Sequence, residues 1–234
     1  MARKKSRKRK DGNLHLSKDK LIVHHDPKSP VSEIYRSIRT NIQFSAFDKE
    51  LKTLTVTSSI EGEGKTTTLC NLAVTLAQQN KRVLVVDADL RRPKVHRIFD
   101  IPNHEGLTEL LISMGEPEKF IIDTFVENLF VLPTGVIPPN PAELLASSRM
   151  KHFIENVRAK FDYVLVDIPP INVVTDGLLV ANRMDGVVLL CDSGRVSIEE
   201  AKKAKDQLIN AKANVLGVVL NNVSQEGSAY YYYQ

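Results

Sequence analysis

No stretch of this 234-residue sequence approaches the roughly 18–20 apolar residues needed to cross a bilayer, and its N-terminus lacks the apolar core of a signal peptide. Both absences set the expectation of a cytoplasmic protein. Cysteine is nearly missing as well. Cys70 and Cys191 lie in apolar stretches with no partner at metal-ligand spacing, so a buried structural role is expected for each. Acidic residues are absent from the first ten positions, where Arg3, Lys4, Lys5, Arg7, Lys8, Arg9 and Lys10 crowd together. The formal net charge of +4 therefore describes a basic tail on a mildly acidic body. A uniformly basic surface is not indicated, and no nucleic-acid partner is expected.

What remains suits one α/β domain with tails, because 42% hydrophobic and 26% charged residues are ordinary globular values that supply a core. Residues 1–30 are polar, basic and punctuated by Pro27 and Pro30, and read as a flexible tail. Residues 31–222 form the folded domain, and 223–234 a flexible C-terminal tail rich in tyrosine. A helix is predicted over 31–47, with Ser32 as N-cap and Ile34, Tyr35, Ile38 and Ile42 on one face. Glu33, Arg36 and Arg39 fall together on the other side. The residues alone leave open whether that stripe is a solvated face or a contact surface.

Six β-branched runs follow: Leu54–Thr57, Val83–Val86, Leu129–Leu132, Tyr163–Val166, Val187–Cys191 and Val215–Leu220. Most are continuously apolar, as strands covered on both faces are. The segments between them are long enough for crossover helices, which predicts a mainly parallel sheet flanked by helices.

The first run leads into Ser58-Ser-Ile-Glu-Gly-Glu-Gly-Lys-Thr66 and then a helical stretch. Strand, glycine-containing loop, Gly-Lys-Thr and helix together make a phosphate-binding loop, and hence a P-loop NTPase fold. Gly62 and Gly64 let backbone N–H groups wrap phosphates; Glu63 and Thr67 belong to the same cradle. Lys65 is expected to reach the β/γ oxygens, and the Thr66 hydroxyl to ligate magnesium. Ser59 stands where the general pattern has its first glycine. Two further strands end in acids, at Asp87 with Asp89 after it, and at Asp167. In a parallel sheet ligands bind beyond the carboxyl ends of strands, so all three carboxylates arrive at the level of the loop, where a phosphate-bound Mg2+ needs oxygen ligands. Any one strand-end aspartate is commonly a cap or loop residue; two such strands beside a phosphate loop are not a coincidence.

These features, with Glu33-x-x-Arg36-x-x-Arg39, the stretch from Thr134 to Leu145 and the terminal Tyr230, Tyr231, Tyr232 and Tyr233, resemble the bacterial tyrosine kinases of capsule and exopolysaccharide loci, in the membrane-span-free form of Gram-positive bacteria. The resemblance implies an ATP- and magnesium-dependent protein-tyrosine kinase that phosphorylates its own C-terminal tyrosines, between protomers, to regulate polysaccharide synthesis or export. It implies that Lys65, Asp87, Asp89 and Asp167 are catalytic, with Asp87 accepting the phenolic proton, and that Thr66 and the three aspartates surround the metal. Asn221 is placed by the resemblance at the adenine, and Arg91 and Arg92 divide evenly between neutralising phosphate and standing in a solvated loop. Implied partners are further copies of the chain, arranged in a ring through Glu33, Arg36 and Arg39, and a separate transmembrane activator. A tyrosine phosphatase and other protein substrates complete them. The basic N-terminus is expected to meet the inner face of the plasma membrane. The rival is a positioning switch resembling the Min and Par ATPases. Those proteins carry a second lysine where this chain has Ile60, and four terminal tyrosines are foreign to a switch.

Overall fold

Continuous apolar strands require cover on both faces, and the chain supplies it with helices between every major pair of strands. The computed structural model describes residues 20–45 and 50–223. The basic cluster of residues 3–10 and the tyrosines at 230–233 lie outside the described residues. In chain order the elements are α1 (Ile22–His25), α2 (Pro30–Phe44), β1 (Thr53–Ser58), α3 (Lys65–Ala77), β2 (Val83–Asp87), α4 (Val95–Ile98) and α5 (Leu107–Ser113). There follow β3 (Ile122–Asp123), β4 (Leu129–Leu132), α6 (Pro141–Ala146), α7 (Ser148–Lys160), β5 (Tyr163–Asp167), α8 (Asp176–Ala181), β6 (Gly186–Asp192), α9 (Ile198–Asn210) and β7 (Val215–Asn221).

The strands form one sheet in the order β3-β4-β2-β5-β1-β6-β7, parallel throughout except for the two-residue β3, which pairs antiparallel with β4. Side chains alternate between two cores. Val83, Val85 and Leu165 join α1, α2, α3 and α4 on one face; Leu84, Val86, Val164 and Val166 join α5, α7, α8 and α9 on the other. That two-sided burial is why the strand runs show no polar alternation. Cys70 and Cys191 are free and buried, one in each core.

The N-terminal boundary differs from the sequence reading. Residues 20–30 are part of the fold: Leu21 and Val23 are fully buried against α3, and Val23 N–H donates to Asn71 Oδ1 at 3.1 Å. The segment was hidden because its apolar residues are just three in a row, Leu21, Ile22 and Val23, too few to make a period. The helix cap also moves. Ser29, not Ser32, caps α2, accepting from Ser32 N–H at 3.1 Å with Pro30 in the first turn. A proline fits the first turn because its missing N–H has no helical partner there. Ser32 is buried instead and its hydroxyl donates to the Asp26 carbonyl at 2.7 Å. Helix α2 ends at Phe44 rather than 47.

The predicted seam of α2 is partly corrected too. Tyr35, Ile38 and Ile42 pack on the core, whereas Ile34 is 51% exposed. Arg39, not Ile34, flanks the seam: its Nη1 donates to the Thr75 carbonyl at 2.8 Å. Arg36 pairs with Glu33 one turn back and donates to the Pro27 carbonyl at 2.8 Å. The stripe is therefore neither wholly solvated nor wholly free for a partner.

Candidate functional site

Strand β1 feeds loop 59–64, which turns into α3 through two glycines that no other residue replaces easily. Gly62 has φ of 84° and Gly64 φ of 100°. A Cβ at Gly64 would lie 2.7 Å from Asn221 Nδ2, and one at Gly62 would lie 2.8 Å from Arg195 Nη1. The loop is therefore clamped from the β6–β7 side. Asn221 Nδ2 donates to the Glu63 carbonyl at 2.8 Å, and Arg195 Nη1 to the Gly62 carbonyl at 3.2 Å. Glu63 itself is fully buried. Its carboxylate accepts from Ile60 N–H at 2.7 Å and from Asp192 N–H at 2.9 Å, tying the loop to the end of β6. Its side chain is a strut, so any phosphate contact of Glu63 falls to its backbone.

Lys65, Thr66 and Thr67 open α3, whose first N–H groups form the positive end of the helix. The register of the sheet sets Asp87 beside Asp167 on neighbouring strands. The lysine sits against Asp167 and Asp89. Lys65 Nζ lies 3.1 Å from Asp167 Oδ1 and 3.0 Å from Asp89 Oδ2, and the Thr66 hydroxyl donates to Asp167 Oδ2 at 2.7 Å. Here Lys65 is turned to the acids rather than held out over the loop. Burial opposes its charge, but Asp167 and Asp89 more than offset this and hold its pKa above the usual lysine value.

Asp87 is the odd member of this knot. One oxygen, Oδ2, accepts from Lys94 N–H and Val95 N–H, both at 3.0 Å, and Thr134 Oγ1 braces its carbonyl at 2.8 Å. The other, Oδ1, is buried without a partner among the described residues. Burial, then the neighbouring Asp167 charge, push the Asp87 carboxyl up to about 8. Burial likewise raises Asp167, against the opposing pull of Lys65 and Thr66. A buried acceptor left open beside a lysine and a hydroxyl suits a cation or a proton. Among the described residues no three acidic, histidine or cysteine side chains converge as a ready metal cage. Magnesium does not require one, since it keeps waters and phosphate oxygens among its ligands. The donor set thus fits magnesium held together with a phosphate.

The site opens into a cavity of about 490 Å³ lined by Gly62, Gly64, Lys65, Thr66, Thr67 and Asp89. A larger one of about 950 Å³ lies between α5 and α7, away from the phosphate loop, and holds none of this chemistry. Arg91 and Arg92 also line the smaller cavity, each already paired: Arg91 with the buried Asp176 at 2.7 Å, Arg92 with Glu61.

Comparison with known proteins decides what kind of phosphate-loop protein this is. A family profile described as AAA domain matches residues 51–209. Tyrosine-protein kinase YwqD of Bacillus subtilis is 44% identical over 214 residues, 91% of this chain and 90% of that protein. Tyrosine-protein kinase CpsD of Streptococcus agalactiae serotype Ia is 40% identical over 199 residues, 85% of each. This chain belongs to the bacterial tyrosine kinases of capsule loci. Among solved structures the chimerical protein CapA2B2 superposes with a TM-score of 0.85 at 40% identity, over 88% of this chain and 91% of that one. The kinase domain of Escherichia coli tyrosine kinase ETK gives 0.85 at 32% identity, over 92% and 84%. The cell division ATPase MinD of Pyrococcus furiosus, with a TM-score of 0.64 at 24% identity over 76% and 78%, shares the fold alone.

In this kinase the structure brings Lys65, Thr66, Asp87, Asp89 and Asp167 together as the motifs predict, with Asn221 against the loop. Glu33, Arg36 and Arg39 stand apart on α2. Sequence reasoning missed Arg195, Asp176 and Thr134 as supports. Arg195 was findable by the rule that exposed the acids, since it lies just beyond the carboxyl end of β6.

Proposed function

We propose that this tyrosine kinase binds ATP and magnesium at the phosphate loop and modifies Tyr230–Tyr233 of a neighbouring copy. The observation that carries the reading is the pairing of a fully buried, half-open Asp87 with the Lys65–Asp167–Thr66 knot, directly beside a glycine-built phosphate cradle. In the reaction the phenolic oxygen attacks the γ-phosphorus and the bond from that phosphorus to its β-bridging oxygen breaks. ADP leaves, and the phenolic proton passes to Asp87 Oδ1. A phenol has a pKa near 10, so deprotonation is late and most of the acceleration comes from positioning and charge neutralisation. Lys65 exchanges its carboxylate partners for the transferring phosphate. Thr66, Asp89 and Asp167 would hold magnesium, which would neutralise charge on the phosphate oxygens; Asp87, whose one open oxygen takes the proton, would act on the metal through its charge alone. Asn221 and Arg195, on the side of the loop away from the acids, bound the space left for the base.

The tail has the length for the task. Nine residues separate Asn221 from Tyr230, up to about 30 Å when extended. That length serves either the chain's own site or a neighbour's; the α2 stripe, with exposed Val31 and Ile34 next to it, supports the neighbour. The name of the chimera CapA2B2 joins two components, which supports a separate activator, and the seven N-terminal bases support contact with an anionic membrane beside it. A phosphatase that resets the tail completes the proposed cycle.

The test mixes a size-tagged Lys65→Ala chain that keeps its tail with active chain lacking residues 230–234. Phosphotyrosine on the tagged chain is expected. Labelling restricted to intact active chains, at a rate independent of concentration, overturns transfer between copies.

A further inference from the structure

The catalytic cavity has a second wall that the phosphate loop does not need. Besides the loop it is lined by Arg91, Arg92, Lys94 and Arg97, between the end of β2 and α4, and by Lys20 ahead of α1. Asn221 and Arg195 are not part of it; they clamp the loop from the β6–β7 side. With Asp87 as the proton acceptor proposed above, the space in front of Asp89 is where the acceptor tyrosine arrives. The charge there is unevenly matched. Arg91 is neutralised by Asp176 and Arg92 by Glu61, while Asp89 is taken up by Lys65 and by Arg92 N–H. Lys20, Lys94 and Arg97 are exposed and meet no acid among the described residues. Their placement is built into the fold. The Lys94 backbone N–H is bonded to Asp87, which sets that side chain at the rim of the cavity. The Lys20 carbonyl accepts from Asn71 Nδ2 at 2.6 Å, pinning it to α3 at the cavity mouth.

We propose that Lys20, Lys94 and Arg97 form an anion subsite for the acceptor, so that the kinase prefers a tyrosine that already carries a negative charge one or two residues away. The natural source of that charge is a phosphotyrosine in the same run of four. An extended peptide advances about 3.3 Å per residue, so the neighbour of a tyrosine held at Asp87 falls against this wall. A phosphotyrosine carries about −1.5 to −2 charges and three acceptor oxygens, which suits two or three unpaired cations. Each modification then makes the next easier, and the tail fills rather than stopping at one phosphate. From the sequence, a phosphorylated tail is expected to be repelled by carboxylates and ATP; the unmatched cations work against that repulsion.

This inference rests on the reading that the Asp87 side of the cavity receives the acceptor. Its test uses the full-length chain with ATP, magnesium and three peptides matching residues 228–234: unmodified, with phosphotyrosine at position 232, and with Tyr232→Glu. Initial rates at low peptide concentration should favour the phosphopeptide by about 5- to 30-fold, with the glutamate peptide between and the gap narrowing at high salt. In a Lys94→Ala/Arg97→Ala chain the ratio of phosphopeptide to unmodified peptide should fall close to one, with the KM for ATP near the native value. Equal rates on all three peptides in the native chain, or a ratio that survives the double substitution, overturn the subsite. A raised KM for ATP with an intact peptide ratio assigns the cations to the nucleotide and overturns it equally. A glutamate peptide as good as the phosphopeptide keeps the subsite and makes any acid its ligand. Transfer to none of the peptides overturns the acceptor reading itself, and the subsite with it.

Discussion

Two groups of charged residues in this kinase use similar side chains to different ends. At the carboxyl edge of the sheet Lys65, Asp87, Asp89 and Asp167 are buried; on α2 Glu33 is exposed and Arg36 and Arg39 are half-buried. In the first group three acids face one lysine, and burial raises Asp87 and Asp167 above the usual carboxylate range. Such a knot is held under electrostatic tension that a bound cation would relieve. In the second group water reaches the Glu33–Arg36 pair, and the geometry serves packing: Arg39 ties α2 to the end of α3. The difference teaches that charge in a dry place marks chemistry, and that charge in a wet place acts through the shape it supports.

The comparison breaks most visibly at Lys65. Lys65→Ala should lower phosphotyrosine formation by about a thousandfold, since it removes the cation facing the transferred phosphate. It also strands Asp89 and Asp167, at about 3–5 kcal/mol if both stay ionised. Radiolabel transfer and chemical unfolding read the two effects separately, and near-normal transfer would refute the assignment. A smaller loss, about a hundredfold, is expected for Asp87→Asn, which keeps the bonds that bear on its neighbours but cannot take a proton.

That same variant sharpens the comparison through pH. A carboxyl whose folded pKa is raised binds more protons in the folded chain than in the unfolded one between the two values. Stability therefore falls as pH rises through that window, here from about 4 to about 8. In nucleotide- and metal-free protein the melting temperature should drop across this range. The drop should be shallower in Asp87→Asn; identical slopes would mean that Asp87 is ionised throughout. The α2 stripe should show the smallest effects. Replacing Glu33, Arg36 and Arg39 with Ala should cost each protomer about 1 kcal/mol or less, mainly through the Arg39–Thr75 hydrogen bond. Light scattering should then report a smaller species with weaker autophosphorylation. An unchanged mass would confine the stripe to packing within one chain.

Much of this was legible before any fold was known. All six runs became strands: β2, β5 and β6 because a parallel strand covered on both faces is apolar almost throughout, β1 with buried threonines between its apolar residues, and β7 as an edge strand that leaves Val218 and Leu220 exposed. The phosphate loop and the acid-ending strands were readable because their chemistry depends on short, contiguous spacing. Residues whose role lies across the sheet were not. Glu63 looks like part of the cradle and is a strut to Asp192. Asp176 looks like a helix start and holds Arg91. Leu21 and Val23 look like tail and are core.

The linear sequence by itself thus determined the fold class, the phosphate loop and the kinds of group that do the chemistry, since local spacing and hydrophobic period carry that information. Only the tertiary structure decided the strand order, the register that sets Asp87 against Asp167, and the division of the arginines and lysines into paired and unpaired. Those depend on contacts between residues dozens to more than a hundred positions apart, which no local pattern records. The cationic wall is of this kind: Lys20 lines the same cavity as Lys94 and Arg97 only because α1 is buried on α3.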